Sequence, residues 1–306
     1  MSFKGRRVKN KPKNSEQGLA YLLLSPVLIL VGGLILVPVL GTFITSFFRN
    51  VTFMPPAKFI GIRNYARLIK DPQFWQSLRF TVAFSAVAVA LESILGMFYA
   101  LVINEKFKFR GIMRAIVLIP WAIPTIVSAR IWQLMYNYSY GLLNYVLVHF
   151  HLCTHPINWL GSPVSAFFSI VTADVWKTAP FMAILFLAGL QAIPQSLYEA
   201  ARVDGASISQ QFWRITLPLL KPIIVIALIF RTIDSLRIFD LIYVLTGGGP
   251  GGSTSSVSMY GFKSYILGDF GYGSTVSVIT FLLIFVFTVI YLKVGNFSGG
   301  LKENER

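Results

Sequence analysis

EAARVDGASISQQFWRITLP, residues 199–218, is a compact polar element between two long apolar runs. Its first half contains good helix formers, and Gly205 suits the left-handed backbone position that ends a helix without a Cβ clash. Ser207, followed three residues later by Gln210, has the spacing of a capping box, which begins a second helix. The stretch therefore predicts two short helices that meet at a tight turn. This helix-turn-helix element, residues 193–217, is called the elbow, and it is predicted to be rigid rather than a flexible linker.

The apolar runs that flank this elbow predict a membrane protein. The 306 residues are 55% hydrophobic and 13% charged, whereas a soluble domain of this length has about 25% charged residues. Several runs reach the roughly 20 apolar residues that a helix needs to span a bilayer. We predict an all-α membrane protein with six transmembrane helices, the fifth beginning at Pro218. The predicted spans are residues 19–48, 77–103, 112–137, 164–192, 218–246 and 273–295.

The distribution of basic residues predicts how these spans are oriented. The formal net charge is +15, and six Lys and Arg residues precede the first span. Over the predicted loops and tails, sixteen Lys and Arg residues lie on the side of the two termini and seven on the other side. Because basic residues favour the cytoplasmic side, both termini and the elbow are predicted to be cytoplasmic. The same distribution indicates contact with lipid headgroups rather than with nucleic acid.

This topology divides the chain into tails, a membrane domain and its loops. Within the extracytoplasmic segment, FIGIRNYARLIKDPQFW (59–75) predicts either a helix along the membrane surface, stopping near Asp71, or an ordinary loop turn. The predicted parts are a basic N-terminal tail (1–18), a six-helix domain (19–295) with an extracytoplasmic segment (49–76) and the elbow (193–217), and a C-terminal tail (296–306).

The elbow also carries a sequence signature. Its pattern of E-A-A, three residues, Gly, nine residues and I-x-L-P resembles the signature of permease subunits of binding-protein-dependent ABC importers. The resemblance implies the MetI-like permease fold and seats the elbow, as a coupling helix, in a cleft of a cytoplasmic ATPase. The residues that it assigns to ATPase coupling are Glu199, Ala200, Ala201, Asp204, Gly205, Ala206, Ile215, Leu217 and Pro218.

Three segments, 59–81, 193–206 and 237–254, resemble the sugar branch of this family. The likeness covers most of residues 20–295 and is nearest to permeases for maltose, trehalose or glycerol-phosphate. It implies a subunit of a prokaryotic cell-membrane importer that moves a sugar by alternating access, with no enzyme activity and no cofactor of its own. The implied partners are a second permease subunit in a heterodimer, an ATPase dimer that uses ATP and Mg²⁺, an extracytoplasmic sugar-binding protein and membrane lipid.

RTIDSLRIFD, residues 231–240, places four charged residues in the fifth predicted span, at steps of three: Arg231, Asp234, Arg237 and Asp240. Facing lipid, they would cost up to roughly 10–14 kcal/mol, against roughly 5–10 kcal/mol returned by the apolar residues of the span. The charges are therefore predicted to face protein or water as a stripe of alternating sign. Two interpretations stay open: a structural ladder of ion pairs, and a polar wall that hydrogen-bonds sugar hydroxyls.

The resemblance to sugar permeases bears on the choice between a structural ladder and a sugar-binding wall. In the maltose-type permeases that the chain resembles, this span contacts substrate just before the TGGGP segment, which favours Arg237, Asp240 and Tyr243. In the fourth span, Lys177 has the i, i+3 spacing to neutralise Asp174. The candidate substrate-binding residues are Asp234, Arg237, Phe239, Asp240, Tyr243, Trp176 and Lys177.

Two other motifs are weaker. GGGPGGST, residues 247–254, lacks the lysine of a phosphate-binding loop, so ATP hydrolysis is expected from a partner. His149, His151, Cys153 and His155 would share one face of an extended chain and are chemically adequate for zinc, but they match no usual zinc spacing. We therefore predict no metal site.

Two functions from other classes stay open beside a permease for a non-sugar solute such as glycerol-3-phosphate. A secondary carrier would use the charges of the fifth span for ion coupling and would transport without a partner ATPase, although no inverted repeat is apparent. A membrane scaffold would keep the elbow but show no protection of cavity residues by a substrate.

Overall fold

The computed structural model describes residues 14–294, with the side chains of residues 18–293, and most of this range is helical. The basic residues before Asn14 and the segment 295–306, which make up most of the predicted tails, lie outside the described residues. Two-residue strands, β1 (Phe48–Arg49) and β2 (Lys58–Phe59), pair antiparallel. The helices are α1 (Asn14–Val31), α2 (Val37–Thr45), α3 (Arg63–Lys70), α4 (Pro72–Asn104), α5 (Arg110–Ala122), α6 (Thr125–Met135), α7 (Leu142–His149), α8 (Pro163–Ala192), α9 (Gln195–Val203), α10 (Ile208–Gln211), α11 (Leu217–Leu236), α12 (Asp240–Leu245), α13 (Val257–Ile266) and α14 (Phe270–Val294).

Helical segments long and apolar enough to cross a membrane lie where the apolar runs predicted them. The bent pair of α5 and α6 adds one more if it is counted as a single span, which gives five or six spans among the described residues. The helical membrane-spanning class is therefore confirmed. The five unbent spans are Gly18–Thr45, Pro72–Asn104, Pro163–Ala192, Ile208–Leu236 and Phe270–Lys293.

The single helix predicted over residues 112–137 is two helices in the structure. α5 ends at Ala122, α6 begins at Thr125, and the two helices are bent by 89°. Ile123, between them, has extended backbone and directly precedes Pro124. The physical reason is that a residue before proline is sterically disfavoured in the α conformation.

The fifth span begins earlier than the predicted Pro218. α10, a π-helical segment (Phe212–Thr216) and α11 follow one another without a break and form the continuous helix Ile208–Leu236. Pro218 is the second residue of α11 and lies two residues after the end of the π-helical segment. The regular ladder of hydrogen bonds is already altered there, so the missing proline N–H is tolerated. The second half of the elbow is therefore the end of a long membrane helix.

The fifth span also ends earlier than the predicted residue 246. The helix stops at Leu236, and α12 begins at Asp240 after three residues that are not helical. The buried hydroxyl of Ser256 donates a hydrogen bond to the carbonyl of Ile238 at 2.7 Å. Because this bond satisfies a backbone group that the break would otherwise leave unpaired, the broken conformation is sustained inside the bundle.

Three helices form the centre of the bundle: α4 packs along α8, and α11 packs against both of them. Gly96 of α4 permits this approach, since a Cβ there would lie 2.5 Å from the Cβ of Met182. Gly189 of α8 does the same for α11, since its Cβ would lie 2.5 Å from Leu220. Small residues allow such close contact in membranes, where lipid removes the hydrophobic drive between helices.

A helix is present within residues 59–75 as α3, so the alternative of a plain loop turn is wrong. It ends at Lys70, and the carboxylate of the next residue, Asp71, accepts a hydrogen bond from the N–H of Gln73 at 2.8 Å and caps α4. Burial by itself would raise the pKa of Asp71, but hydrogen bonds from the Tyr260 hydroxyl, this N–H and the Tyr272 hydroxyl hold the pKa below its ordinary value. Asp71 therefore joins the start of α4 to α13 and α14 as an ionised carboxylate.

Candidate functional site

The elbow has the backbone geometry that its sequence predicts. Gly205 has a φ of +75° and lies after the end of α9, with open space where a side chain would be. The Ser207 hydroxyl accepts from the N–H of Gln210 at 3.3 Å, and the Gln210 side chain accepts from the N–H of Ser207 at 2.8 Å. The hydroxyls of Tyr198 and Thr216 lie 2.9 Å apart and tie the two arms together. The elbow is therefore held at both its turn and its base.

The outer face of the elbow is apolar and uncovered. The side chains of Val203, Ile208 and Trp213 are 89%, 86% and 62% exposed. A rigid element that presents large apolar side chains is typical of a protein-interaction surface. Of the predicted coupling residues, Glu199, Ala200, Asp204, Gly205 and Pro218 are exposed, and Ala201, Ala206, Ile215 and Leu217 are half-buried.

A cavity of about 360 Å³ lies inside the bundle, where α8 meets the two helix breaks. One break separates α5 from α6 and the other separates α11 from α12. Non-helical backbone at membrane depth is tolerated where it lines a cavity or is buried in protein, and discontinuous helices form the substrate sites of many transporters. The cavity is lined by Trp121, Thr125, Asp174, Lys177, Thr178, Phe181, Arg231, Asp234, Arg237, Ile238, Phe239, Asp240 and Leu241.

The cavity wall carries balanced charges. The guanidinium of Arg237 donates to the carboxylate of Asp234 at 2.6 Å, and the two side chains are 65% and 46% exposed. An exposed pair contributes only about 0–1 kcal/mol to stability. Both groups can therefore leave the ion pair at little cost and form hydrogen bonds with a polar ligand. The lining carboxylates are Asp174, Asp234 and Asp240, and the lining cations are Lys177, Arg231 and Arg237.

Arg231 belongs to a different network, so the four charges do not form the single stripe that the sequence predicted. Its guanidinium donates to Glu92 of α4 at 2.5 and 2.7 Å and to Asp174 of α8 at 3.1 Å. The Thr178 hydroxyl donates to the same Glu92 carboxylate at 2.7 Å. The side chains of Arg231 and Glu92 are 6% and 0% exposed. This buried triad, defined as Glu92, Asp174 and Arg231, joins three spans directly beside the cavity.

The predicted neutralisation of Asp174 by Lys177 is wrong. Asp174 pairs with Arg231, and among the described residues Lys177 forms no ion pair. The reason is geometric, because α11 brings a guanidinium to Asp174 from a neighbouring helix, with a planar fork suited to carboxylates. The ammonium of Lys177 is left at the wall of the cavity.

Aromatic rings complete the wall. Trp121 and Phe181 stack with ring centroids 5.7 Å apart, and both line the cavity with Phe239. Two predicted substrate residues lie elsewhere. Trp176 packs edge-to-face on a tryptophan of α6 at 5.8 Å, and Tyr243 stacks on Phe239 at 5.4 Å without lining the cavity. The structure brings together the other five: Asp234, Arg237, Phe239, Asp240 and Lys177.

The cluster of histidines does not share one extended face. α7 continues to His149, whose ring stacks on Tyr145 at 5.5 Å, and His151 has a left-handed backbone with a φ of 56°. Within residues 14–294, no group of three His, Cys, Asp or Glu side chains is placed to hold a metal ion.

Sequence reasoning missed the role of Glu92 and the cavity positions of Trp121, Thr178 and Phe181. Glu92 gave a signal, since it is the only charged residue of α4 after Arg79 and an unpaired charge in a membrane requires a partner. Its partner lies 139 residues away in the chain, which no local pattern could show.

The chain is a bundle of five or six apolar spans. Two helix breaks line a charged cavity inside the bundle, and a rigid elbow lies at one end of it. These features define the class as a polytopic membrane transport subunit. Residues 92–296 match the family described as binding-protein-dependent transport system inner membrane component. The chain belongs to this family.

Similar proteins indicate which kind of transport subunit this chain is. The chain is 59% identical to the trehalose/maltose transport system permease protein MalF of Thermococcus litoralis, over 94% of this chain and 97% of that one. It is 45% identical to the sulfoquinovosyl glycerol transport system permease protein SmoG of Agrobacterium fabrum, over 90% of each chain. A bacterial alginate ABC transporter, solved with an alginate-bound periplasmic protein, has the same fold with a TM-score of 0.81 and 23% identity, over 92% of this chain and 95% of that one.

The protein is therefore a permease subunit of an ABC transporter for sugar import, located in the cell membrane with several spans. It is a transport component and not an enzyme. The resemblance in the sequence is confirmed.

Proposed function

We propose that the cavity at the two helix breaks holds a neutral sugar, such as the disaccharides trehalose or maltose, while the sugar crosses the membrane. The observation that carries the proposal is its lining, in which three carboxylates and three cations balance around aromatic rings. A net charge near zero favours a polyhydroxyl ligand over a phosphate such as glycerol-3-phosphate, because charged groups can donate to and accept from hydroxyls. The volume of about 360 Å³ falls within the roughly 300–1,000 Å³ of small-molecule sites.

The wall residues can be tested by transport. In the whole transporter, reconstituted in vesicles with its partners, Asp240→Asn should reduce uptake of radiolabelled trehalose or maltose about tenfold or more, since a hydrogen bond to a charged group contributes about 1.5–3 kcal/mol. Asp269→Asn removes a carboxylate that does not line the cavity and pairs with the exposed Arg67, and the amide oxygen can still accept from the Tyr272 N–H. It is the matched control and should transport normally. Normal uptake by the Asp240 variant, or import of glycerol-3-phosphate in preference to sugar, would contradict the proposal.

The elbow is the seat of the partner ATPase in this proposal. The rigid turn at Gly205 and the exposed Val203, Ile208 and Trp213 support a docking role. The elbow and both termini then lie in the cytoplasm, a second permease subunit completes the translocation path, and an extracytoplasmic sugar-binding protein delivers substrate at the opposite end. ATP and Mg²⁺ are bound by the ATPases and not by this chain.

Motion of the elbow reaches the cavity along one helix. Ile208–Leu236 has 29 residues, about 43 Å at 1.5 Å per residue, and it carries Ile208 and Trp213 of the exposed face and Arg231 of the buried triad. ATP-driven movement of the elbow is therefore transmitted to the cavity wall without a flexible joint. The sugar biases this cycle only through different contacts in the two states.

Coupling can be separated from insertion with a matched pair of glycine variants. Gly205→Val and Gly61→Val both place a β-branched residue at positive φ (+75° and +58°) in open space, which costs about 1–2 kcal/mol of local strain. We expect Gly205→Val to insert normally but to hydrolyse ATP without transporting sugar, whereas Gly61→Val should transport. If the Gly205 variant still transports sugar when it hydrolyses ATP, the elbow does not couple the ATPase to transport.

The orientation has its own test. In a Cys153→Ser background, a cysteine at Gly205 should react with an impermeant thiol reagent only when the cytoplasmic face is accessible. Labelling from outside intact cells would overturn the proposed topology. Sugar flux by this chain without an ATPase would identify a secondary carrier instead.

A further inference from the structure

A second hollow lies at the end of the bundle opposite the elbow, away from the cavity. This groove, of about 870 Å³, runs between the first turns of α4 and α8 and is open to the outside of the bundle. Its rim carries Lys70 and Arg79, and its wall includes Val164 and Phe168, which are 67% and 57% exposed. The groove thus joins a basic rim to an uncovered apolar wall.

The basic rim has no counter-ion among the side chains of residues 18–293. Among the described residues, neither Lys70 nor Arg79 forms an ion pair. The neighbouring acid, Asp71, is engaged by hydrogen bonds from Gln73 N–H and two tyrosine hydroxyls, and it leaves a net positive charge at the rim. Ser253 also lines the groove, and its hydroxyl is buried with no hydrogen-bond partner among the described residues. Two cations and a spare hydroxyl donor favour an anionic group with acceptor oxygens.

The depth of the groove matches the boundary of the bilayer. α4 has 33 residues, about 50 Å, whereas the hydrocarbon core is about 30 Å thick. With the excess shared between its two ends, the hydrocarbon begins close to Arg79. The same reasoning for the 30 residues of α8 puts the boundary close to Phe168. Trp75, which is exposed at the groove, lies at headgroup level, where membrane tryptophans are enriched.

We propose that this groove binds an anionic phospholipid of the leaflet opposite the elbow. Its phosphate lies between Lys70 and Arg79, close to Ser253, and an acyl chain passes Val164 at headgroup level and continues into the hydrocarbon along Phe168. A sugar or an acidic protein loop would match only one half of the groove, because neither supplies both an anionic head and a long apolar tail. The site is separate from the translocation cavity, so its occupancy is expected to affect stability and assembly before it affects sugar selection.

The first test measures lipid retention. The complete transporter is reconstituted in vesicles of phosphatidylcholine with a minor fraction of phosphatidylglycerol, extracted in mild detergent, and examined by native mass spectrometry. The unaltered complex should retain phosphatidylglycerol, and the double variant Lys70→Ala/Arg79→Ala should bind it about thirtyfold more weakly, since each basic side chain near a membrane contributes about fivefold. The double variant Lys58→Ala/Arg63→Ala makes the same charge change at exposed positions outside the groove and should retain the lipid. Equal retention by both variants would overturn the proposal.

A second test keeps the basic residues and identifies the occupant. A photoreactive benzophenone side chain in place of Val164 should cross-link to phospholipid, detected as a phospholipid mass on the peptide that contains residue 164. Cross-links to the second permease or to the sugar-binding protein instead of lipid would show a protein interface and overturn the proposal. Displacement of the bound lipid by millimolar inorganic phosphate would also overturn it, because the apolar wall would then contribute nothing.

Discussion

The same substitution, arginine to methionine, is expected to affect stability at Arg231 and transport at Arg237. Both are arginines of the same membrane segment, and each pairs with carboxylates, but Arg231 is 6% exposed and Arg237 is 65% exposed. Arg231→Met leaves Glu92 and Asp174 buried with no cation between them, and breaking a buried pair in this way costs about 3–5 kcal/mol. Arg237→Met removes an exposed pair and costs about 0–1 kcal/mol.

The measurement is thermal unfolding of the purified protein in detergent, alongside sugar uptake by the reconstituted transporter. We expect Arg231→Met to lower the unfolding temperature by on the order of 10 °C, and Arg237→Met to leave it almost unchanged while reducing uptake. Both effects depend on burial, because a charge that loses its partner in water is simply rehydrated. If the two variants lose the same stability, the buried triad is not what holds the three spans together.

Three further outcomes are expected. The stabilising contribution of Asp71 should be present in full at neutral pH and should decrease as the pH falls below about 4 and through the lowered folded-state pKa. Asp71→Asn should therefore differ from the unaltered protein in unfolding temperature at pH 7, and this difference should narrow steadily as the pH is lowered below about 4. Gly96→Ala should lower the unfolding temperature through an overpacked contact costing about 1–3 kcal/mol, whereas Gly111→Ala, in open space on a helix, should not. Ser256→Ala should cost about 1–3 kcal/mol, because it leaves a carbonyl at the helix break unpaired and removes the cap of α13, and Ser85→Ala, whose buried hydroxyl has no partner, should cost less.

Local chemistry explains why the elbow was predictable from its sequence. A positive φ at Gly205 and the reciprocal bonds between Ser207 and Gln210 depend on residues within a few positions of one another. The spans were predictable for a similar reason, since burial in lipid requires only a sufficiently long apolar run.

The helix breaks show where this reasoning stops. Pro124 marked one break by its effect on the residue before it, but the break before Asp240 carries no proline and depends on a hydrogen bond from Ser256 to the Ile238 carbonyl. Arg231 lies within α11 on its buried side and pairs with Glu92, whereas Arg237 is the first residue of the break and its exposed side chain pairs with Asp234. Even spacing along the sequence therefore suggested one stripe of charges where the molecule has two sites.

The sequence by itself determined the class of membrane protein, the approximate positions of the spans, the conformation of the elbow and the residue types available to the cavity. These follow from composition, from short-range backbone preferences and from signatures contained in one segment. Only the tertiary structure decided which charges meet, which rings face the cavity and where a helix is interrupted. Those outcomes depend on Glu92, Asp174 and Arg231 arriving from three separate helices, because the energy of a buried charge is set by its neighbours in space and not by its neighbours in the chain.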